Sequence, residues 1–518
     1  MALEKADLVL HEGRVYGHPE SDSVAVGGGR IIACGGFGEL KSLVGPRTHL
    51  IRLGGRTVAP GFVDCHLHFM EGAATAAGAS LQRCRAIGEL LADLRLVAGR
   101  TPPGNWLRAF GCDEALLRER RGPTRAELDQ SAPRNPLRLR HQTLHASWLN
   151  SRAIAALGLE APDFRPPEGA WIDRDASGRL NGFVAGMEQW LSDRLPLVTA
   201  AELESRARNF SRELAAGGIT AFTDATVRNG PDQVAALGRL VGSGAIRQRT
   251  AVMIGEGYLD TAAESRRIAE AAGLRLAGIK FMDVAGARPE RIARNLGRAL
   301  ALGLDAAFHV TEVDELEVAL TALARTRREL NPRLAAGTVC RLEHGGLIPP
   351  EFPERIAALG AWVVANPGFI HYRAAKYAAD PGLIPYLYRA RSLIAAGIEL
   401  AGATDAPVTP PRPLAAIAAA VTRRGAEGQA LALDEALPAA EAIGLFTTRA
   451  ARLSRLGAGE IAPGQLADMI VLGADPLAVA PAELASVPVD LTIIGGRTVY
   501  ERGRPAIAQS DTANLYSP

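Results

Sequence analysis

The sequence predicts an α/β protein: a barrel of eight parallel strands wrapped by helices, joined to a small β-rich domain drawn from both chain ends. Three observations carry that expectation. The middle of the chain alternates short apolar strand runs with helical stretches, the pattern of a parallel sheet with crossover helices. Both ends read as short strands divided by glycine turns. Five of the strand runs also end in histidine, lysine or aspartate, where such a barrel gathers its chemistry.

Composition bounds the function. Lysine and arginine total 58 against 56 acidic residues, a formal net charge of +2, so there is no electrostatic case for nucleic acid. The cysteines at 34, 65, 84, 112 and 340 are odd in number and form no CxxC pair. That usage fits a reducing cytoplasm and argues against a disulfide framework. Residues 1–10 carry charges where a signal peptide needs an apolar run, and no uncharged apolar stretch reaches the ~18 residues of a membrane span. The expected protein is soluble and cytoplasmic, with a small-molecule substrate and no nucleic-acid or membrane partner. A homo-oligomer is left open.

In chain order, Ala6–Leu10, Gly13–Tyr16, Ser23–Val26, Arg30–Cys34 and His49–Leu53 are short alternating or apolar runs with turns such as Gly27-Gly-Gly29. The far end has the same texture at Ala467–Leu472, Leu491–Ile494 and Arg497–Tyr500, and Gly-Gly-Arg-Thr-Val occurs at both Gly54–Val58 and Gly495–Val499. The two ends are therefore expected to fold together. The first barrel strand lies in Val58-Ala-Pro-Gly-Phe-Val-Asp-Cys-His-Leu-His68. Gly218–Thr223, Arg249–Ile254, Leu276–Met282, Asp305–Val310, Thr338–His344, Trp362–Asn366 and Ile398–Thr404 complete the eight. Helices are expected at Val234–Val241, Thr261–Ala272, Pro289–Leu302, Val313–Leu330 and Pro350–Leu359.

One connection is far longer than a barrel loop. From Phe69 to about Ala200 the chain inserts a segment holding Trp106, Trp148, Trp171 and Trp190, together with Leu139-Arg-His-Gln-Thr-Leu-His-Ala-Ser-Trp-Leu-Asn150. A lid or pocket wall and a plain satellite core explain it equally well.

Side chains two apart on a strand point the same way, and their Cα atoms lie roughly 6.6 Å apart. His66 and His68 can therefore converge on one ion, and imidazole suits zinc and its neighbours. Alone, His-x-His is more often two solvated histidines. Lys280 near the end of the fourth strand, His309 near the end of the fifth, His344 ending the sixth and Asp405 after the eighth change that balance. Six ionisable groups at one barrel end form a candidate metal set. Asp64 shares the face of His66 and His68 and is a candidate to support them. Glu343 alternates away from His344 and is expected to pack behind its strand.

The sequence resembles the amidohydrolase superfamily, and within it the YtcJ-like "amidohydrolase 3" group. The resemblance covers nearly the whole chain. It rests on Pro60-Gly-Phe-Val-Asp-Cys-His-Leu-His68, Arg341-Leu-Glu-His344, Asn366-Pro-Gly-Phe369, Thr404-Asp-Ala-Pro407 and Ile461-Ala-Pro-Gly-Gln-Leu-Ala-Asp468. It implies a (β/α)8 TIM barrel with a metal site and a composite β-sandwich built from both termini; the expected bounds are 58–449 for the barrel, with insertion 69–200 as lid or pocket wall, and 1–57 with 450–518 for the sandwich. It implies that His66 and His68 hold a more buried metal, and His309 and His344 a more exposed one. Lys280 stands where many members carry a carboxylated lysine bridging two metals. Asp405 stands where the family has a ligand aspartate that also moves the proton. The expected cofactor is a divalent metal, Zn2+ by preference, one or two per chain.

The chemistry suits those residue types. A divalent ion brings the pKa of its water near ~7 and polarises a carbonyl, so hydroxide attack on an amide, N-acyl, urea-like or cyclic imide C–N bond proceeds at neutral pH. Asp405 can take that proton and pass it to the leaving nitrogen. Two departures stand out. Where many members follow the lysine with a Gly-rich Asp-Gly segment, Lys280-Phe-Met-Asp-Val-Ala-Gly-Ala-Arg-Pro289 runs almost directly into a helix. His309-Val-Thr-Glu312 resembles the deaminase branch, whose glutamate protonates a ring nitrogen, although Glu312 also reads as a first-turn helix residue favoured by the dipole. A zinc deaminase is thus the alternative enzyme, and a barrel without catalysis the remote one. Trp106, His145, Glu312, Asn366 and Phe369 are the candidates for contact with substrate.

Overall fold

The computed structural model describes residues 5–76, 79–196, 199–282, 284–329, 337–457 and 459–504. The chain forms two compact units, residues 1–69 with 211–518, and residues 70–210.

The first unit contains the barrel. Its strands are β1 (Phe62–Leu67), β2 (Ile219–Asp224), β3 (Arg249–Gly255), β4 (Arg275–Phe281), β5 (Asp305–Val310), β6 (Cys340–His344), β7 (Trp362–Ala365) and β8 (Leu400–Gly402). Neighbours in sequence pair in parallel from β1 through β8. The ring is nearly closed: Asp405 N donates to His66 O at 2.9 Å and His68 N to Ala406 O at 2.8 Å, tying the exit of β8 to β1. All six residues of β1 are buried, as expected of a strand covered on both faces.

The outer helices follow from amphipathic spacing. Pro289–Ala301 turns Ile292, Ala293, Leu296, Ala299 and Leu300 inward and begins at a proline, whose missing N–H costs nothing at a helix start. Burying each large aliphatic side chain contributes about 1.5–3 kcal/mol. The expected strand Ile398–Thr404 is shorter in the structure because Thr404 N donates to the Asp64 carboxylate, at 3.1 Å, instead of to a neighbouring strand. Asp283 and Leu330, within the expected fourth-strand exit and helix end, lie outside the described residues.

The same unit holds two further sheets. One orders Arg30–Gly35, Ser23–Gly27, Leu8–His11 and His49–Arg52; the other orders Arg14–Val15, Thr57–Pro60, Met469–Leu472, Val489–Ile494 and Arg497–Glu501. They share one apolar core that includes Leu10, Val24, Val58, Met469 and Ile493. The chain passes from Pro60 into the barrel at Gly61, where a Cβ would meet the Thr220 side chain at 2.3 Å. Only glycine fits that approach.

Residues 70–210 have a core of their own. Leu90, Leu94, Leu107, Leu128, Leu137 and Trp148 belong to one buried cluster, and Leu149, Ile154, Leu180 and Leu191 to another. The stretch Leu139–Asn150 is a structural hairpin in which Leu137–His141 pairs antiparallel with Ala146–Leu149. Asn150 is fully buried and accepts from Leu137 N and Ala153 N, both at 2.9 Å, while donating to Ala132 O and Asn135 O. Among the described residues, no helix is long and apolar enough to cross a membrane.

Candidate metal centre

The candidate site is built at the C-terminal ends of the barrel strands. His66 and His68 lie two residues apart at the end of β1, with Asp64 behind them. The Asp64 carboxylate accepts from His66 N at 3.2 Å, from Thr404 N at 3.1 Å, and from the Thr404 hydroxyl. One side chain thereby locks β1 to the exit of β8. Asp405 follows in the left-handed region (φ 60°), as does His344 (φ 72°) at the end of β6. Non-glycine residues hold such backbone only where their surroundings impose it, and such residues cluster at functional sites.

The imidazoles converge. Ring centroids lie 5.2 Å apart for His66 and His68, 4.9 Å for His66 and His344, and 4.7 Å for His309 and His344. Asp405 Oδ1 stands 3.1 Å from His68 Nε2 and 3.5 Å from His66 Nε2. His344 Nε2 is 3.1 Å from His309 Nδ1.

Partners behind the rings fix which nitrogen faces the site. His66 Nδ1 donates to Glu343 Oε2. His344 Nδ1 donates to Asn366 Oδ1 at 2.9 Å, and the Asn366 amide is itself oriented by donating to Ala403 O at 3.0 Å. His68 Nδ1 bonds the Thr226 hydroxyl at 2.9 Å. Each arrangement turns Nε2 toward the centre, the outer-shell pattern that orients metal-binding histidine.

Glu343 does not pack behind its strand. Positive φ at His344 breaks the alternation on which that expectation rested, so Glu343 and Arg341 point into the barrel while His344 also reaches the site. Arg341 donates to both Glu343 oxygens and, through Nη2, to Cys65 O at 2.6 Å. Two charges in a barrel strand expected to be buried on both faces were the signal, because buried charges must find partners.

Burial dominates the titration. It drives His66 and His344 well below the usual imidazole range, and lowers Lys280 to about 8. His68 also pays for burial, but the Asp405 carboxylate outweighs it and leaves this imidazole raised. Burial pushes Asp64 up to about 7, against its hydrogen bonds from Thr404 and His66. For Glu343, burial is overcome by Arg341 and Lys280, and the carboxylate is lowered.

The donor set fits a divalent ion. His66, His68 and Asp405 offer ligand atoms all within 4.8 Å of one another. Lys280 Nζ is buried without a hydrogen-bond partner among the described residues. Its charge interacts with Glu343 and Asp405, which places it beside the same cluster. A second grouping, Asp113, Glu114 and His141, lies in residues 70–210. There His141 Nδ1 accepts from Thr143 N at 3.0 Å, so that nitrogen is already engaged, and Nε2 lies 3.2 Å from Glu114 Oε2.

The other expected residues divide. Phe369 stacks on His344 with centroids 6.2 Å apart, and Asn366 orients the same ring. Glu312 is exposed where the helix Val313–Glu329 begins, and its carbonyl accepts from Leu316 N. Its carboxyl is raised by burial and by Glu315 and Asp314. Trp106 and His145 belong to residues 70–210, Trp106 against the core there and His145 exposed.

The chain matches the profile described as Amidohydrolase family over residues 49–500. It is 28% identical to an N-substituted formamide deformylase of Arthrobacter pascens, over 93% of this chain and 95% of that one. It is 28% identical to YtcJ of Bacillus subtilis (strain 168), over 95% of this chain and 99% of that one. Among solved structures, an uncharacterized metal-dependent hydrolase from Pyrococcus horikoshii OT3 superposes with a TM-score of 0.69 at 22% identity, covering 92% of this chain and 99% of that one. The last likeness is one of fold.

Proposed function

The chain belongs to the amidohydrolase family and is a hydrolase, and on that premise we propose that it cleaves a C–N bond in a small amide, N-formyl or N-acyl amine, urea-like compound or cyclic imide. The observation that carries this reading is the turning of His66 Nε2 and His68 Nε2 onto one oxygen of Asp405. His66, His68, Lys280, His309, His344 and Asp405 would hold one or two divalent ions, and an imidazole-rich set favours zinc. When bound, such an ion acidifies a water and polarises the substrate carbonyl.

The chain's own residues supply the rest. Asp405 accepts the proton of the attacking water and returns it to the departing nitrogen. Glu343, Asn366 and Thr226 hold the three imidazoles in the required orientation. Lys280, carboxylated, would help hold the metal; its buried, unpartnered Nζ supports that role, since carboxylation replaces a repelled cation with an anionic oxygen donor. Similarity to an N-substituted formamide deformylase favours N-formyl compounds among the substrates. The deaminase reading needs Glu312 as a second acid, and its exposed place at a helix start gives that reading less support.

The test is metal content per chain together with formate release from N-formyl amines. One or two ions, activity lost on chelation and activity restored by zinc are expected. Full activity in the chelated protein overturns the metal-centred reading.

A further inference from the structure

We propose that Arg373, with the phenols of Tyr377 and Tyr388, forms a carboxylate-binding subsite beside the metal centre, so that the preferred substrate carries a carboxylate away from its scissile C–N bond. The proposal rests on the hydrolase reading above and deepens it.

The subsite is a helical stripe. Phe369, Arg373 and Tyr377 stand four residues apart on the helix Gly368–Ala378, which starts just beyond β7, so they share one face. The Phe369 ring stacks on His344, and the Arg373 guanidinium lies over the same ring, 4.7 Å from its centroid. The guanidinium is thus one aromatic ring away from a candidate metal ligand. Tyr388, itself in left-handed backbone (φ 46°), brings its hydroxyl to 3.1 Å from that of Tyr377. The charges of both Arg373 and Asp405 act on the Tyr388 phenol, so it lies near each.

The cluster offers more donors than acceptors. Arg373 bonds the Tyr377 phenol but makes no ion pair among the described residues, and its Nη2 is buried without a hydrogen-bond partner. Of the two phenols in contact, only one can donate to the other, which leaves one hydroxyl proton unspent. An unpaired buried N–H on a charged group is costly, and an acceptor on a ligand would satisfy it. No acid is ion-paired with Arg373 among the described residues: Glu312 acts on Tyr377, and Asp405 lies against the histidines. A guanidinium fork beside a phenol matches the planar, bidentate geometry of a carboxylate.

The test compares N-formyl-leucine with N-formyl-leucinamide, in both enantiomers, on the metal-loaded full-length enzyme. Both kcat/KM and calorimetric Kd are measured for the wild type, Arg373→Gln and Arg373→Lys. The wild type should prefer the acid, and Arg373→Gln should reduce that acid-to-amide preference about 10- to 100-fold. Arg373→Lys should keep part of it, since charge is retained and the fork is lost. Melting temperature and metal content confirm that each variant is folded and loaded. Turnover of acid and amide with equal efficiency, or a preference untouched in Arg373→Gln, overturns the subsite while the hydrolase reading stands. Arg373-dependent binding of the acid without any formate release supports the subsite and counts against N-formyl hydrolysis. Absence of both binding and turnover removes both.

Discussion

Glu343 on β6 accepts the Nδ1 proton of His66 on β1 across the barrel interior, while Arg341 donates to the same carboxylate from below. All three side chains are buried. The arrangement sets the tautomer of His66 and faces Nε2 to Asp405, so a buried acid behind the ring decides which nitrogen His66 presents.

Glu343→Gln should therefore weaken metal retention by about 10- to 100-fold, the usual effect of losing such an orienting partner. Equilibrium dialysis against graded chelator measures it. Glu343→Ala should also lower stability by ~3–5 kcal/mol, because it strands the buried Arg341 guanidinium. Denaturant unfolding of the metal-free protein separates that effect from metal loss. Unchanged affinity in the glutamine variant would show that His66 needs no such partner.

Much of this was legible in the sequence, for physical reasons. The barrel strands are buried on both faces and so read as continuous apolar runs bounded by turns, and β3, β4 and β5 fall within one or two residues of their expected ranges. His66, His68, Lys280, His309, His344 and Asp405 were legible because they stand at strand ends, where the fold itself supplies convergence. The direction of Glu343 was not, because it depends on one backbone torsion, the positive φ of His344, that no residue-type preference announces. Thr226, Thr404 and the stripe through Arg373 were hidden for a different cause. The partners of Thr226 and Thr404 lie far away in sequence, so only tertiary closure brings them together, and the stripe, though local in sequence, gains its place only when Phe369 stacks on His344.

Asn150 illustrates a motif residue with a structural task. Its side chain satisfies Leu137 N, Ala153 N, Ala132 O and Asn135 O inside residues 70–210. Asn150→Ala leaves those buried groups unpaired, at about 1–3 kcal/mol for each group that water cannot reach. Thermal unfolding should show a clear loss of stability in that unit. Metal content per folded chain should be unchanged, since the candidate ligands all lie outside residues 70–210. Wild-type stability in the variant would mean that the four groups find other partners.

Lys280 tests the bridging role directly. The side chain is fully buried beside Glu343 and Asp405, and its Nζ has no hydrogen-bond partner among the described residues. Lys280→Ala should abolish activity and reduce the metal count, with partial recovery when acetate or propionate is added to occupy the vacated volume. Mass spectrometry of the intact protein under native conditions, with and without bicarbonate, should show one added CO2 per chain in the wild type only. A bare ammonium in a metal-loaded crystal structure would count against carboxylation.

Proton delivery separates amide hydrolysis from ring deamination, because the metal requirement is common to both. In the hydrolase a single acid–base group suffices: the proton that Asp405 takes from water leaves with the amine. In the deaminase a second acid must protonate the heterocycle, and Glu312 is the residue at the expected spacing after His309. The structure places Glu312 at a helix start, exposed, with its backbone N–H given to Glu315 at 3.0 Å. Asp405→Asn should abolish turnover on either reading, with metal largely kept by the histidines. Glu312→Gln is the decisive variant. Loss of a catalytic acid costs ~10²–10⁴ in rate, whereas loss of a residue at a helix start should leave activity within about tenfold. Formate release measured on an N-formyl amine should fall by no more than the smaller factor. A collapse of the larger size, accompanied by ammonia release from a purine, pyrimidine or triazine, would assign the site to deamination instead.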